Sequence, residues 1–200
     1  PSPVDRADRI EPSDLRLLSA PIDFLIAEHY RLRDVLALLD RLVHGKVRRW
    51  DETAGAILAY LRRDLVWHVE DEERDLFPAL LRRAKRTDSI EAAFKVLSAE
   101  HQGDELLADA VEEGLAHAIK DKAARFDSTF VSAARSFAEN QRRHLAWENV
   151  LILPLARKRL SATDQRRLAV RMAKRRQVSL PDRRGLAQAL AALKAWGAGP

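Results

Sequence analysis

The residues best suited to chemistry are histidines and glutamates that recur with one spacing in both halves of the chain. The spacing is H-x3-E-x5-P in both copies, and the residues are His68, Glu72, Pro78, His144, Glu148 and Pro154. Residues four apart lie on the same face of a helix, so each pair can present an imidazole and a carboxylate to one metal site. The chain has only 8 prolines, so the recurrence of proline at the same offset indicates a true repeat.

A second matched feature lies upstream of each pair. Leu25-Ile-Ala-Glu28-His29 precedes the first copy and Leu97-Ser-Ala-Glu100-His101 precedes the second. The sequence therefore encodes a helical hairpin that is repeated once, and a pseudo-twofold relation would bring six ligands together. The predicted ligands are His29, His68, Glu72, His101, His144 and Glu148. A single inward histidine is usually a core residue, but the repeat favours a metal site.

The donor set restricts the metal. The chain has no cysteine, so any metal must be held by nitrogen and oxygen, which suits iron, manganese or zinc. If both glutamates bridge, two ions each receive two imidazoles and two carboxylate oxygens, and a position stays open for an exogenous ligand. Such a centre is most useful with redox-active iron, and two buried carboxylates would be costly without a cation.

The elements that must position these residues are helices. Apolar residues recur at three- and four-residue spacing with few β-branched runs, which predicts an all-α protein. Four long helices are expected: one over about residues 20–45, one that starts near Asp51 and passes through Leu76, and two over about residues 88–118 and 127–160. Short connections between them favour an antiparallel four-helix bundle over residues 19–160, after an N-terminal tail of residues 1–18.

A basic helical extension is predicted for residues 161–200. Ser161 and Asp164 have the spacing of a capping box that opens a fifth helix, and an Ala-rich helical stretch follows Gly185. The chain carries a net charge of +5, but residues 157–184 hold eleven Lys or Arg against two Asp, so this segment is strongly positive. We interpret it as a solvated helix face, because no motif for sequence-specific nucleic-acid binding accompanies it.

The 22.7 kDa chain shows no apolar run long enough for a membrane span. Its first residues mix charge and proline without the apolar core of a signal peptide, which favours a cytoplasmic location.

The ordered motifs resemble those of the hemerythrin-like, HHE cation-binding family over residues 23–160. The second-helix pair continues as Glu73-x3-Phe77-Pro78, in the family's E-x3-F-P pattern. The resemblance implies a non-haem di-iron centre in an antiparallel four-helix bundle, with two oxo- or hydroxo-bridged iron ions on the six ligands above and the two glutamates as bridges. Zinc or manganese are alternative metals. Ferritin-like proteins use Glu-x-x-His, which this sequence lacks.

One departure concerns the third helix. Oxygen-carrying hemerythrins have H-x3-H there, whereas this chain has His101 and Glu105. We expect a more open centre, or one in which Glu105 is an additional ligand, and therefore oxidation rather than reversible oxygen carriage. The set is similar to that of bacterial members linked to nitric-oxide and oxidative stress or to repair of iron centres. The repair proteins have a cysteine-containing N-terminal segment without counterpart in this sequence.

Residues around the ligands complete the prediction. Tyr60, Trp67 and Trp147 are candidates for a shell around the centre or for an electron path, although packing in the core is the favoured interpretation. Three acidic residues next to the ligands are interpreted as solvated or supporting groups, namely Glu28, Glu73 and Glu100. His44 and His117 are interpreted as surface caps of helices. The predicted function is binding or reduction of oxygen, peroxide or nitric oxide with an unspecified electron donor. A sensing or binding module without turnover and a structural metal protein are the alternatives; the oligomeric state is not predicted.

Overall fold

The computed structural model describes residues 9–122 and 125–197, and this part of the chain is helical, with no strand in it. Four long helical segments comprise Pro21–Val43, residues 50–83, Glu91–Lys120 and residues 128–159. A fifth helix, Ala162–Arg175, and a sixth, Leu186–Gly197, follow. Short 3₁₀ turns cover Leu15–Ser19 and Arg86–Asp88. The predicted all-α class is confirmed, and none of the helices described here has the length and apolarity of a membrane span.

The second and fourth helices alternate between α and π turns. The second is α-helical over Trp50–Ala59, Val66–Glu70 and Phe77–Arg83, with π turns at Tyr60–Leu65 and Asp71–Leu76. The fourth is α-helical over Ser128–Trp147 and Leu153–Arg159, with a π turn at Glu148–Ile152. Both H-x3-E pairs therefore end on the first turn of a π segment, a feature frequent at functional sites.

The π turns explain the E-x5-P spacing of the repeat. The Phe77 N–H donates to the Glu72 carbonyl, and the Leu153 N–H donates to the Glu148 carbonyl, each five residues back. A proline follows each donor directly. Because proline has no N–H and its ring clashes with the carbonyl four residues earlier, a widened turn lets the helix continue through it. The repeated proline thus marks the backbone geometry of the glutamates.

The chain divides into two compact units. The first comprises Arg31–Val66 and Ala99–His144 with the N-terminal residues up to Glu11. Its core is formed by apolar residues of all four long helices, among them Leu36, Ile57, Val111 and Phe137, each fully buried.

The second unit comprises Pro12–Tyr30, Trp67–Ser98 and Leu145–Pro200. One buried cluster joins the start of the first helix to the last turns of the second and fourth helices, for example Leu25, Leu80 and Leu153. The fifth and sixth helices contribute Met172 and Leu193 to the same cluster. A capping box opens the fifth helix, as predicted, since Ser161 Oγ accepts from the Asp164 N–H and the Asp164 carboxylate accepts from the Ser161 N–H.

The positive charge of the basic segment is partly neutralised inside the second unit. Five of its arginines pair with acidic residues outside the segment, and the pairs are Arg157–Asp23, Arg159–Asp88, Arg171–Asp75, Arg175–Asp71 and Arg176–Asp71. Arg166, Arg167 and Lys174 are exposed, in agreement with a solvated face. The prediction of a solvated basic helix is therefore correct for only part of the segment.

One of these pairs gives the protein an acid-sensitive contact. Hydrogen bonds from the Arg159 guanidinium, at 2.8 and 2.6 Å, and from the Lys85 N–H lower the pKa of Asp88 from 3.8 to about 2. Because the folded-state pKa is the lower one, the contact stabilises the fold above the ordinary pKa and is lost as the pH falls through the folded-state value. We expect Asp88→Asn to lower the urea midpoint at neutral pH, and we expect this deficit to shrink as the pH falls from about 4 through about 2. A deficit of equal size at neutral pH and at a pH of about 2 would contradict this account.

Candidate metal centre

Four of the predicted ligands meet in the second unit. His29, His68, Glu72 and Glu148 are buried and each offers a ligand atom, all within 4.8 Å of one another. The His29 Nε2 atom lies 3.5 Å from Glu72 Oε1 and 3.5 Å from Glu148 Oε2. His68 Nε2 lies 3.5 Å from the same Glu72 oxygen. Two imidazoles and two carboxylates thus face one small volume, a donor set suited to iron, manganese or zinc.

A hydrogen bond from the second ring nitrogen of His29 fixes the orientation of its imidazole. Its Nδ1–H donates to Asn149 Oδ1 at 3.0 Å, which directs Nε2 toward the carboxylates. Such a partner on the second ring nitrogen sets the tautomer of a metal-binding histidine and its angle. Sequence reasoning missed Asn149, although it directly follows the predicted ligand Glu148. The His68 ring stands edge-on to His29, with ring centroids 5.0 Å apart and planes at 86°.

The electrostatics of this group favour a cation. Burial raises the pKa of Glu72 well above its ordinary value, and the neighbouring carboxylate of Glu148 raises it further. Both carboxylates have no exposed surface. Two buried acids in contact are unfavourable when ionised unless a positive charge lies between them. The residues present therefore fit a bound metal ion.

The other two predicted ligands lie together in the first unit. The rings of His101 and His144 have centroids 4.4 Å apart, and His144 is buried. His144 Nδ1 lies 3.1 Å from Glu100 Oε2. Glu100 therefore orients His144 as Asn149 orients His29, and the interpretation of Glu100 as a supporting group agrees with this contact. Glu148 follows His144 by one turn of the same helix.

Glu105 does not lie where a ligand would. Its side chain is exposed, and it belongs to neither group of potential ligands among the described residues. The preceding residue, Asp104, is buried and accepts hydrogen bonds from Asn140 Nδ2 and Gln141 Nε2, each at 2.8 Å. The expectation of an additional ligand at Glu105 is therefore not supported by the structure.

The aromatic candidates have different environments. Tyr60 is buried in the first unit beneath the Arg31 guanidinium, 4.8 Å from the ring centroid. Trp67 lies beside Arg176 in the second unit, and the Arg176 guanidinium carbon is 5.6 Å from the centroid of the Trp67 ring. Trp147 is 55% exposed, so the expectation that it packs in the core is wrong.

The remaining polar predictions are mixed. Glu28 is buried rather than solvated, and Glu73 accepts a hydrogen bond from Ser98 Oγ at 3.0 Å. His44 and His117 are exposed near helix ends, as expected for surface caps.

Comparison with known proteins shows the family to which this chain belongs. The hemerythrin HHE cation binding domain matches residues 20–156, which is more than half of the chain. The chain belongs to the hemerythrin family. A protein of Haemophilus influenzae described as uncharacterized is 29% identical over 175 residues, which cover 84% of this chain and 97% of the relative. No solved structure matches significantly. The family and the buried His and Glu cluster together identify a hemerythrin metal-binding protein.

The position of Glu105 leads to a specific expectation. Glu105→Ala should leave the metal content of the protein unchanged, because an exposed carboxylate outside the ligand groups contributes little to binding. Elemental analysis of wild type and variant purified in parallel measures the effect. Loss of a substantial fraction of the metal in Glu105→Ala would show instead that Glu105 contributes to metal binding.

Proposed function

We propose that this hemerythrin is a di-iron protein that binds or reduces a small oxidant such as oxygen, peroxide or nitric oxide. The observation that carries the proposal is the contact of two buried carboxylates, Glu72 and Glu148, with the imidazoles of His29 and His68. The family's antiparallel four-helix bundle is the arrangement we propose for the four long helices.

The proposed ligand set has two related halves. His29 and His68 would hold one ion together with an oxygen from each glutamate, and His101 and His144 would hold the second with the other oxygens. The spacing of His144 and Glu148 on one helix parallels that of His68 and Glu72. The Nδ1 contacts of His29 and His144 support the same role for both, because each leaves Nε2 as the coordinating nitrogen.

When bound, two ferrous ions would supply the electrons for reduction of the oxidant. The chain's own contribution is to hold four donors from three helices at fixed positions and to exclude water from them. His29, Glu72 and Glu148 have no exposed surface. The buried carboxylates also supply the negative charge that stabilises the cations.

Metal analysis and spectroscopy test this proposal. We expect aerobically purified protein from iron-supplemented cells to contain about two iron ions per chain, the number that six ligands in two halves can hold. The reduced protein should be oxidised by oxygen, peroxide or nitric oxide in stopped-flow mixing, and argon purging should not reverse the spectrum. Little or no bound iron would contradict the proposal, and a purge-reversible change with oxygen would favour a carrier.

A sensing role is the second candidate. The fifth and sixth helices share a buried cluster with the first and second helices, so the segment available as an output element packs in the same unit as four of the proposed ligands. Iron binding without oxidation by any of the three oxidants would favour sensing or a structural role over turnover.

A further inference from the structure

Two arginines at the end of the fifth helix contact the π turn that carries Glu72. Arg175 donates to Glu70 Oε2 at 3.0 Å, to Asp75 Oδ2 at 2.8 Å and to Asp71. Arg176 Nη2 lies 2.8 Å from Asp71 Oδ2. Asp71 directly precedes Glu72, so both guanidinium groups hold the backbone segment from which the ligand projects.

Arg176 also contacts the residue before the other ligand of that motif. Its guanidinium carbon lies 5.6 Å from the centroid of the Trp67 ring and 4.6 Å from that of Phe24. Trp67 directly precedes His68. The Arg176 side chain is 4% exposed, and its Nη1 donates to the Met172 carbonyl at 3.1 Å. The guanidinium is therefore fixed on several sides while it contacts the residue that precedes each ligand of the H-x3-E pair.

The buried charge of Asp71 shows why these contacts matter. Asp71 has no exposed surface, and an ionised carboxylate in such a place requires paired cations. Arg175 and Arg176 supply two from one helix end. A π turn is also a rare backbone geometry that persists where its surroundings favour it. The arginines bind its first residue and, through Asp75, a residue one turn later.

We propose that Arg176, assisted by Arg175, is a positioning residue for the metal ligands His68 and Glu72. The end of the fifth helix then does more than cover the core, because it sets the geometry of the second-helix half of the centre. This inference rests on the proposed metal-binding function. Arg176 itself coordinates nothing and acts through Trp67 and Asp71.

The direction of the effect distinguishes positioning from simple electrostatics. Removing a positive charge near a bound cation would by itself strengthen metal binding, because like charges repel. Loss of a residue that orients ligands weakens binding, typically by 10- to 100-fold for groups behind metal ligands. Arg176→Met keeps an unbranched apolar side chain against Phe24 and Trp67 but removes the contact with Asp71.

The experiment compares full-length wild type, Arg176→Met, Arg176→Lys and the matched control Arg166→Met, an exposed arginine of the same helix. Chelator competition gives the ferrous-ion affinity, and the absorption spectrum of the iron-loaded protein reports ligand geometry. We expect Arg176→Met to bind iron about tenfold or more weakly, with a shifted spectrum. The iron affinity of Arg176→Lys should lie between those of Arg176→Met and the wild type, since lysine keeps the charge but lacks the planar guanidinium group. Arg166→Met should match wild type.

Thermal melts with and without iron separate positioning from a purely structural role. Positioning predicts that the iron-dependent rise in Tm shrinks in Arg176→Met. If Arg176→Met lowers the Tm equally with and without iron, and leaves the iron affinity and the spectrum unchanged, the inference is overturned while the proposed function stays intact. Absence of iron binding in the wild type would overturn both. If Arg176→Met does not fold, Arg176→Lys decides, and a wild-type affinity and spectrum in that variant would overturn the inference.

Discussion

Glu72→Ala should remove most of the bound metal. The carboxylate is fully buried and lies 3.5 Å from the Nε2 atoms of both His29 and His68. If it bridges two ions, its removal takes an oxygen from each and leaves two imidazoles without the anion that faces them. We expect iron to fall from about two ions per chain to a small fraction of that, measured by elemental analysis of protein from iron-supplemented cells. Glu148→Ala should behave in the same way.

The adjacent Glu73→Ala is the matched control for this result. Glu73 belongs to the same π turn, but its carboxylate accepts a hydrogen bond from Ser98. The Glu73→Ala variant should therefore retain the metal content of the wild type. Wild-type metal content in Glu72→Ala would exclude it as a ligand, and equal losses in both variants would indicate damage to the turn rather than to the ligand set.

Removal of the metal should destabilise the fold. A ligand that binds only the folded state contributes about 4 kcal/mol at a thousandfold excess over its Kd. For a chain of this size, each kcal/mol corresponds to about 2–4 °C in Tm, so the apo protein should melt roughly 8–16 °C lower. The physical reason is that Glu72 and Glu148 are buried against each other, where their negative charges require a cation.

Calorimetry of chelator-treated and iron-reconstituted protein measures this difference. The variant His29→Ala provides the control, because loss of a central imidazole should abolish most of the iron-dependent rise in Tm. Equal melting temperatures for apo and reconstituted wild type would show that the metal does not bind a buried site.

The sequence by itself determined the helical class and the residue types of the candidate metal site. A spacing of four residues places His68 and Glu72 on one helix face whatever the tertiary arrangement is, because the α-helical repeat is local. The repeated E-x5-P pattern likewise had a local cause in the π turns at Glu72 and Glu148. The family resemblance, carried by the same motifs, was confirmed over residues 20–156.

The direction of each helix face was less certain from sequence. Successive residues of a helix are about 100° apart, so Asp104 and Glu105 lie on either side of the direction of His101. The resemblance left Glu105 open as an additional ligand, but the structure buries Asp104 and exposes Glu105. Trp147 was misplaced for the same reason, since its size favoured burial while the phase of the helix points it to solvent.

Only the tertiary structure decided which residues support the ligands. Asn149 contacts His29 across 120 positions of sequence, and Arg175 contacts Asp71 across 104. Neither contact leaves a periodic signal, because it depends on how distant helices pack and not on the repeat of one helix. The positive charge of residues 157–184 was visible in the sequence, but its acidic partners were not. Packing of the fifth helix brought that charge against the segment that carries Glu72.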